Sequence, residues 1–364
     1  MMEQANRIRT VAIVSLSSGS IGEPQLKFEV DIGLRRLREF GLEVRLMPHA
    51  MKGRAYVSAH PEDRASDLIE AFLDPEIDMI LCAIGGDDTY RLLPHLFGRD
   101  ELKNAVRNKI FLGFSDTTIN HFMLHNVGLP TFYGQSFLAD LCELDSDMLP
   151  YTRTYFEELV RTGTVKEVRP SGVWYNERTS YSEDQVGVPR VSHPDRGFEL
   201  LQGSPVFSGP ILGGCIDSMY DVFNGERYAD MPVLCAEYGL FPPFGDWKGK
   251  IILLESSEEK MSPEKYRKAL EYLKEAGVFD AVAGVLVGKP MDGTYDAEYR
   301  QCLTEVIANP FLPVVCNLNV GHATPRCILP FGPEATVDVP GQVIRFSDGT
   351  PGENAFLSSG GEAT

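Results

Sequence analysis

Over the first 135 residues, short apolar runs alternate with stretches whose apolar positions recur at helical spacing, and no other feature narrows the fold as far. "TVAIVSL" (10–16), "EVRLM" (43–47), "DMILCAI" (78–84), "KIFLGF" (109–114) and "PTFYG" (130–134) read as strands. Between them, 24–40, 61–73, 88–96 and 117–126 read as helices. Strands joined through helices run parallel, and helices covering both faces leave them apolar on both sides. The alternation therefore predicts an α/β fold on a parallel sheet, with ligands bound beyond the carboxyl ends of its strands.

The rest of the chain follows another rhythm. One helix is expected in "DSDMLPYTRTYFEELVRTG", and then "RPSGVWYNERTSYSEDQVGVPRVSHPDRGFELLQGSP" runs long, polar and rich in turn residues. Such a stretch reads as a lid or a linker. Beyond it, strands are expected at 250–255, 281–288, 313–318, 335–339 and 342–346, with helices at 215–224, 262–276 and 296–308. A chain of 364 residues suits two cores better than one. The expected division is an α/β domain over 1–165, an interdomain loop over 166–204, a smaller mixed α/β domain over 205–350, and a Gly/Ser-rich flexible tail over 351–364.

Acidic residues number 52 against 34 basic ones, a net charge of −18 spread along the chain. That surface repels phosphate backbones and anionic membranes, which argues against nucleic acid polymers and membranes as partners. No stretch reaches the roughly 20 apolar residues that span a bilayer, and the start lacks the apolar core of a signal peptide. The seven cysteines are scattered and never spaced C-x-x-C, so they read as buried free thiols in a reducing cytoplasm.

In "KIFLGFSDTTINHF" a strand gives way to a helix through Gly113-Phe114-Ser115-Asp116. Ser115 has two readings, a helix cap or a hydroxyl presented for attack with backbone N–H groups beside it. Thr117 takes the last position of G-x-S-x-G, which disfavours a common α/β-hydrolase. A second junction, "AIGGDDTYRLL", places Gly85 and Gly86 where a backbone can approach a ligand and its N–H groups hold an anion. Its "GGDDT" also resembles the G-G-D-G-T loop of NAD kinases and lipid kinases, with Asp88 in place of the third glycine. An attacking serine needs a base. His121 and His125 are four apart on one expected helix, where packing outweighs metal binding. His322 in "NLNVGHATPRCILPFG" follows an apolar strand directly, on a loop limited by proline. Glu255 closes the apolar run "KIILLE", where a carboxylate is costly unless it is paired or functional. Glu258 and Glu259 read as solvated charges or as an acidic first turn.

Together, "GFSD", "SGPILGGCIDSMYDVFNG", "ILLESSEE" and "NVGHATPRCILPFG" resemble, in this order, four segments of the LD-carboxypeptidase family of serine peptidases. The resemblance covers nearly the whole chain, and the 67 residues from Glu255 to His322 fit the family's arrangement. It implies Ser115 as nucleophile, His322 as general base, Glu255 as the residue orienting it, and the backbone N–H groups of Gly86 and Asp116 as oxyanion donors. It further implies a flavodoxin-like N-terminal domain bearing the serine, a smaller C-terminal domain bearing Glu and His, a homodimer, and neither metal nor organic cofactor. Two activities are found in the family, removal of D-alanine from murein tetrapeptides and cleavage of an aminoacyl-nucleotide amide by microcin C immunity proteins. "PSGVWYNERTSY" resembles the tryptophan-bearing loop of the second branch, which implies Trp174 and Tyr181 as substrate contacts, beside Gly85 of the Gly-Gly junction as a close backbone contact; Tyr181 stands where that branch often has another tryptophan. The substrate would be a small peptide or an aminoacyl-nucleotide. A catalytically silent binding protein and a kinase of the G-G-D-G-T type are the rival classes.

Overall fold

The computed structural model describes residues 7–347, so the tail over 351–364 lies outside the described residues. Thr10–Val14 (β1), Glu43–Leu46 (β2), Met79–Cys82 (β3), Ile110–Gly113 (β4) and Thr131–Tyr133 (β5) pair in parallel in the order β2-β1-β3-β4-β5. This is the flavodoxin-like order. All residues of β1, β3, β4 and β5 are buried, as expected of strands covered on both faces. The edge strand β2 is partly exposed and carries charged residues that blunt it.

The remaining strands are Glu167–Val168 (β6), Val173–Tyr175 (β7), Ser192–Pro194 (β8), Glu199–Gln202 (β9), Val206–Cys215 (β10), Ile251–Glu255 (β11), Gly284–Gly288 (β12), Val314–Leu318 (β13), Leu329–Phe331 (β14), Glu334–Asp338 (β15) and Val343–Phe346 (β16). Eight of them form a mixed sheet in the order β6-β16-β15-β10-β11-β12-β13-β9, with a parallel centre β10-β11-β12-β13. Strand β14 joins the first sheet, antiparallel to β5, so the chain returns to the N-terminal sheet just after the His322 loop.

Three features depart from the sequence reading. The stretch 166–204 holds four short strands rather than a featureless loop: β6 and β9 edge the second sheet, and β7 and β8 form a ribbon. A buried ion-pair cluster anchors the ribbon, with Arg178 and Arg190 both bonded to Glu143 at 2.6 and 2.7 Å. Strand β10 went unread because its Gly and Pro break a strand pattern. The strand expected over 281–288 begins only at Gly284, because Ala281 closes a short helix, Val278–Ala281.

Thr118–Asn126 follows β4 and is buried from Thr118 to Leu124. It is covered from the other side because Thr118 Oγ1 accepts the Cys215 N–H at 2.9 Å, tying the helix to the end of β10. All seven cysteines are buried and free, and no helix among the described residues is long and apolar enough to cross a membrane.

Candidate active site

Ser17, Gly86 and Ser115 follow β1, β3 and β4, and Tyr133 ends β5, so all four stand at the carboxyl edge of the first sheet. Glu255 ends β11 and His322 follows β13, at the corresponding edge of the second sheet. The two edges face each other. Ser115 Oγ lies 3.0 Å from His322 Nε2, and His322 Nδ1 lies 2.7 Å from Glu255 Oε2. The same carboxylate oxygen accepts the His322 backbone N–H at 3.2 Å, so one atom sets both ring and main chain.

Ser115 adopts φ +66°, a left-handed conformation that a non-glycine residue enters at a cost of about 1–2 kcal/mol. Its N–H donates to the Tyr133 hydroxyl at 3.2 Å, and that hydroxyl donates to Glu255 Oε1 at 2.6 Å. Both Glu255 oxygens are thereby satisfied in a nearly dry setting, as a buried carboxylate requires. Burial, then the neighbouring Glu255 charge, holds the Tyr133 phenol well above its ordinary range, so it stays a donor. Gly321 is needed beside this group, because a Cβ there would collide with the Glu255 carboxyl.

The Gly-Gly loop is pinned onto the serine turn by Asp116. Asp116 Oδ2 accepts from Ser17 Oγ at 2.8 Å, from the Thr89 N–H at 3.0 Å and from Thr89 Oγ1 at 2.6 Å. Burial is the largest influence on this carboxyl and raises it. Asp88, which follows the loop, makes a buried ion pair with Arg64 at 2.6 Å. The loop is thus committed to internal contacts, and a Cβ on Gly85 would sit 3.1 Å from the Asp116 nitrogen.

On the other side of the imidazole stands an unexpected neighbour. Glu258 Oε2 lies 3.0 Å from His322 Nε2, although the Glu258 side chain is 63% exposed. Its segment, read as solvated from the sequence, is drawn to the histidine. Burial works against a charged ring, but Glu255 and then Glu258 outweigh it and push His322 up to about 10. Glu258 is lowered to about 2 by its hydrogen bond to His322. Arg326 holds the loop from behind, with its guanidinium 3.1 Å from the His322 carbonyl and 3.0 Å from Asp140. Tyr133, Arg326, Ser17 and Glu258 were missed as site residues; only their lodging in strand-end segments could have marked them.

The other predicted contacts lie apart from this group. Trp174 sits on the β7–β8 ribbon, stacked on His193 at 4.4 Å, with Lys289 Nζ 5.7 Å from its ring. It lines a hollow of about 170 Å³ with Lys289, Asn317 and Arg196. The ribbon is tied to the histidine loop by the Tyr175 N–H, which donates to the Thr324 carbonyl at 2.9 Å. Tyr181 is exposed, bonds to Glu177 and borders a different groove beside Pro24 and Phe28. His121 is fully buried between Thr131 and the Gly113 carbonyl, and burial lowers it to about 3. Cys215, Glu255 and His322 offer ligand atoms within 4.8 Å of one another. Burial keeps the Cys215 thiol protonated, and Glu255 and His322 are already bonded to each other, so this trio is a poor metal cage.

Both halves of the chain match family models: the LD-carboxypeptidase N-terminal domain over residues 11–134 and the LD-carboxypeptidase C-terminal domain over residues 208–337. The chain belongs to the LD-carboxypeptidase family of serine peptidases, which makes it a hydrolase. Within that family it stands in the MccF-like branch. The crystal structure of an MccF-like protein from Streptococcus pneumoniae in complex with AMP is 58% identical, with a TM-score of 0.92, covering 93% of this chain and 99% of that one. The probable murein peptide carboxypeptidase of Bacillus subtilis (strain 168) is 26% identical over 340 residues, 92% of this chain and 90% of that protein. The microcin C7 self-immunity protein MccF of Escherichia coli is 25% identical over 306 residues, 80% of each chain.

Proposed function

We propose that this peptidase cleaves the amide joining an amino acid to a nucleotide-like group, through an acyl-enzyme on Ser115. His322 Nε2 takes the Ser115 proton as Oγ attacks the carbonyl carbon, and Glu255 fixes the ring's orientation and stabilises its charge. The Gly86 and Asp116 N–H groups receive the oxyanion; the Ser115 N–H is already spent on Tyr133. The departing nitrogen takes the proton from His322, and water then repeats the steps in reverse to free the acid. The observation that carries this reading is the chain of contacts from Ser115 Oγ to His322 at 3.0 Å and on to Glu255 at 2.7 Å.

The nucleotide half is supported by the 58% identical relative, whose structure is described in complex with AMP. Trp174 would offer an aromatic face to the base, Gly85 a close backbone contact, and Tyr181 a more remote one. The reading includes a cytoplasmic homodimer and a division near residues 165 and 205, with β14 returned to the first unit. The similarity to a probable murein peptide carboxypeptidase favours a second reading, release of D-alanine from a murein tetrapeptide. Incubation with aspartyl sulfamoyl-adenosine and with murein tetrapeptide, followed by mass spectrometry, separates the two. Free aspartate from the first compound is expected, and cleavage of the tetrapeptide alone refutes the nucleotide reading.

A further inference from the structure

We infer that Glu258 is a specificity residue that recognises a free ammonium group on the carbon next to the scissile carbonyl. The inference rests on the acyl-enzyme reading above and deepens it by naming which acyl donors the site prefers.

The position of Glu258 is built rather than incidental. The backbone of its loop is held by buried Asp217, which accepts the Ser257 N–H at 2.9 Å and the Ser257 hydroxyl at 2.8 Å. That leaves the Glu258 side chain projecting over the histidine, exposed on its outer side and 3.0 Å from Nε2. Ser115 Oγ is also 3.0 Å from Nε2. A carbonyl carbon poised for attack lies about 3 Å from Oγ, and an α-nitrogen lies about 2.5 Å from that carbon by standard bond lengths and angles. An α-ammonium is therefore carried into the reach of Glu258. A charge-assisted hydrogen bond between them is shorter and stronger than one between neutral groups.

The nearby cations are already engaged. Arg227 is shared among Asp87 and Asp221 at 3.1 Å each and Glu259. Lys260 pairs with Asp292 at 2.8 Å. Among the described residues the imidazole is the one side-chain group paired with Glu258, and Arg227 acts on it through charge alone, so an incoming ammonium has one hydrogen bond to displace. Transfer of the carboxylate from His322 to the substrate would also remove one of the two anions that keep the ring protonated, and free it to act as a base. An aminoacyl-nucleotide brings such an ammonium. A peptide whose α-nitrogen at the scissile residue is acylated does not.

The test labels Ser115 with diphenyl 1-aminoethylphosphonate and with its N-acetyl form. In this reaction the Ser115 Oγ–P bond forms, one P–O(phenyl) bond breaks, and phenol leaves with the serine proton. The wild type is expected to react with the free amine faster by about tenfold or more, the scale of one charge-assisted hydrogen bond. Glu258→Gln should bring the two rates within about twofold of each other, since the amide keeps the shape and loses the charge. Equal wild-type rates, or a preference that survives in E258Q, overturn the inference. Absence of Ser115 labelling by either probe overturns it together with the acyl-enzyme reading. Failure to hydrolyse aspartyl sulfamoyl-adenosine with the labelling preference intact upholds Glu258 and refutes only the nucleotide half of the proposed function.

Discussion

Replacing Gly85 with alanine tests how closely the two loops of the first sheet are fitted. A Cβ at Gly85 would lie 2.6 Å from both Cβ and Oγ of Ser115. Ordinary contact begins at 3.4 Å, so the serine must retreat by about 0.8 Å. Gly85 is not among the residues of positive φ, so alanine adds a contact and no backbone strain. A misplacement near 1 Å costs on the order of a hundredfold in rate, or about 2.7 kcal/mol of barrier. Overpacking costs ~1–3 kcal/mol of stability, a few degrees of melting temperature in a chain this long. The assay is the rate of Ser115 phosphonylation in G85A and wild type, beside thermal unfolding of both. A rate within about threefold of wild type, in a variant that folds normally, would show that Ser115 Oγ does not need the place in which it stands.

Ser115→Ala should abolish turnover without raising the melting point, whereas Ser115→Gly should abolish turnover and add about 1 kcal/mol of stability by relieving φ +66°; equal melting points for the two variants would refute the strain. Tyr133→Phe leaves Glu255 Oε1 and the Ser115 N–H without their shared partner, so unfolding in urea should show a loss of about 1–3 kcal/mol together with a fall in kcat. His322 is raised in the folded state from 6.5 to about 10, so its contribution to stability is full below pH 6.5 and is lost as pH climbs toward 10. Urea midpoints across that window should fall in wild type and fall less in Glu255→Gln; a flat wild-type profile would count against the ion pair. The free enzyme must also shed this proton to act as a base, so the labelling rate should rise with pH through the alkaline range, and E258Q should move the rise to lower pH.

What a linear reading could reach was whatever repeats locally. The strands β1, β3, β4, β5 and β11 announce themselves by nearly continuous apolar runs, because a strand buried on both faces admits little else. Glu255 was legible for the same reason in reverse, as a charge that ends such a run. Ser115 was half legible, since a strand-to-helix turn favours serine whether it caps or attacks. Strand β10, by contrast, carries "SGPILGG", a pattern that reads as loop. It is a strand because β11 and β15 flank it and take its backbone hydrogen bonds.

Sequence alone determined the class of fold and the family, and it singled out three strand-end residues as candidates, since each follows from patterns within a few positions or from segments kept in order. Tertiary structure alone decided that Glu255 and His322, 67 residues apart, meet Ser115, 207 residues from the histidine. It also decided that Tyr133 bridges two of them and that Glu258, though outwardly a surface charge, is held at the imidazole. The physical reason is that hydrogen bonds and ion pairs depend on distances of about 3 Å, and the distance between remote residues is set by the packing of two sheets, edge to edge, rather than by any local preference of the chain.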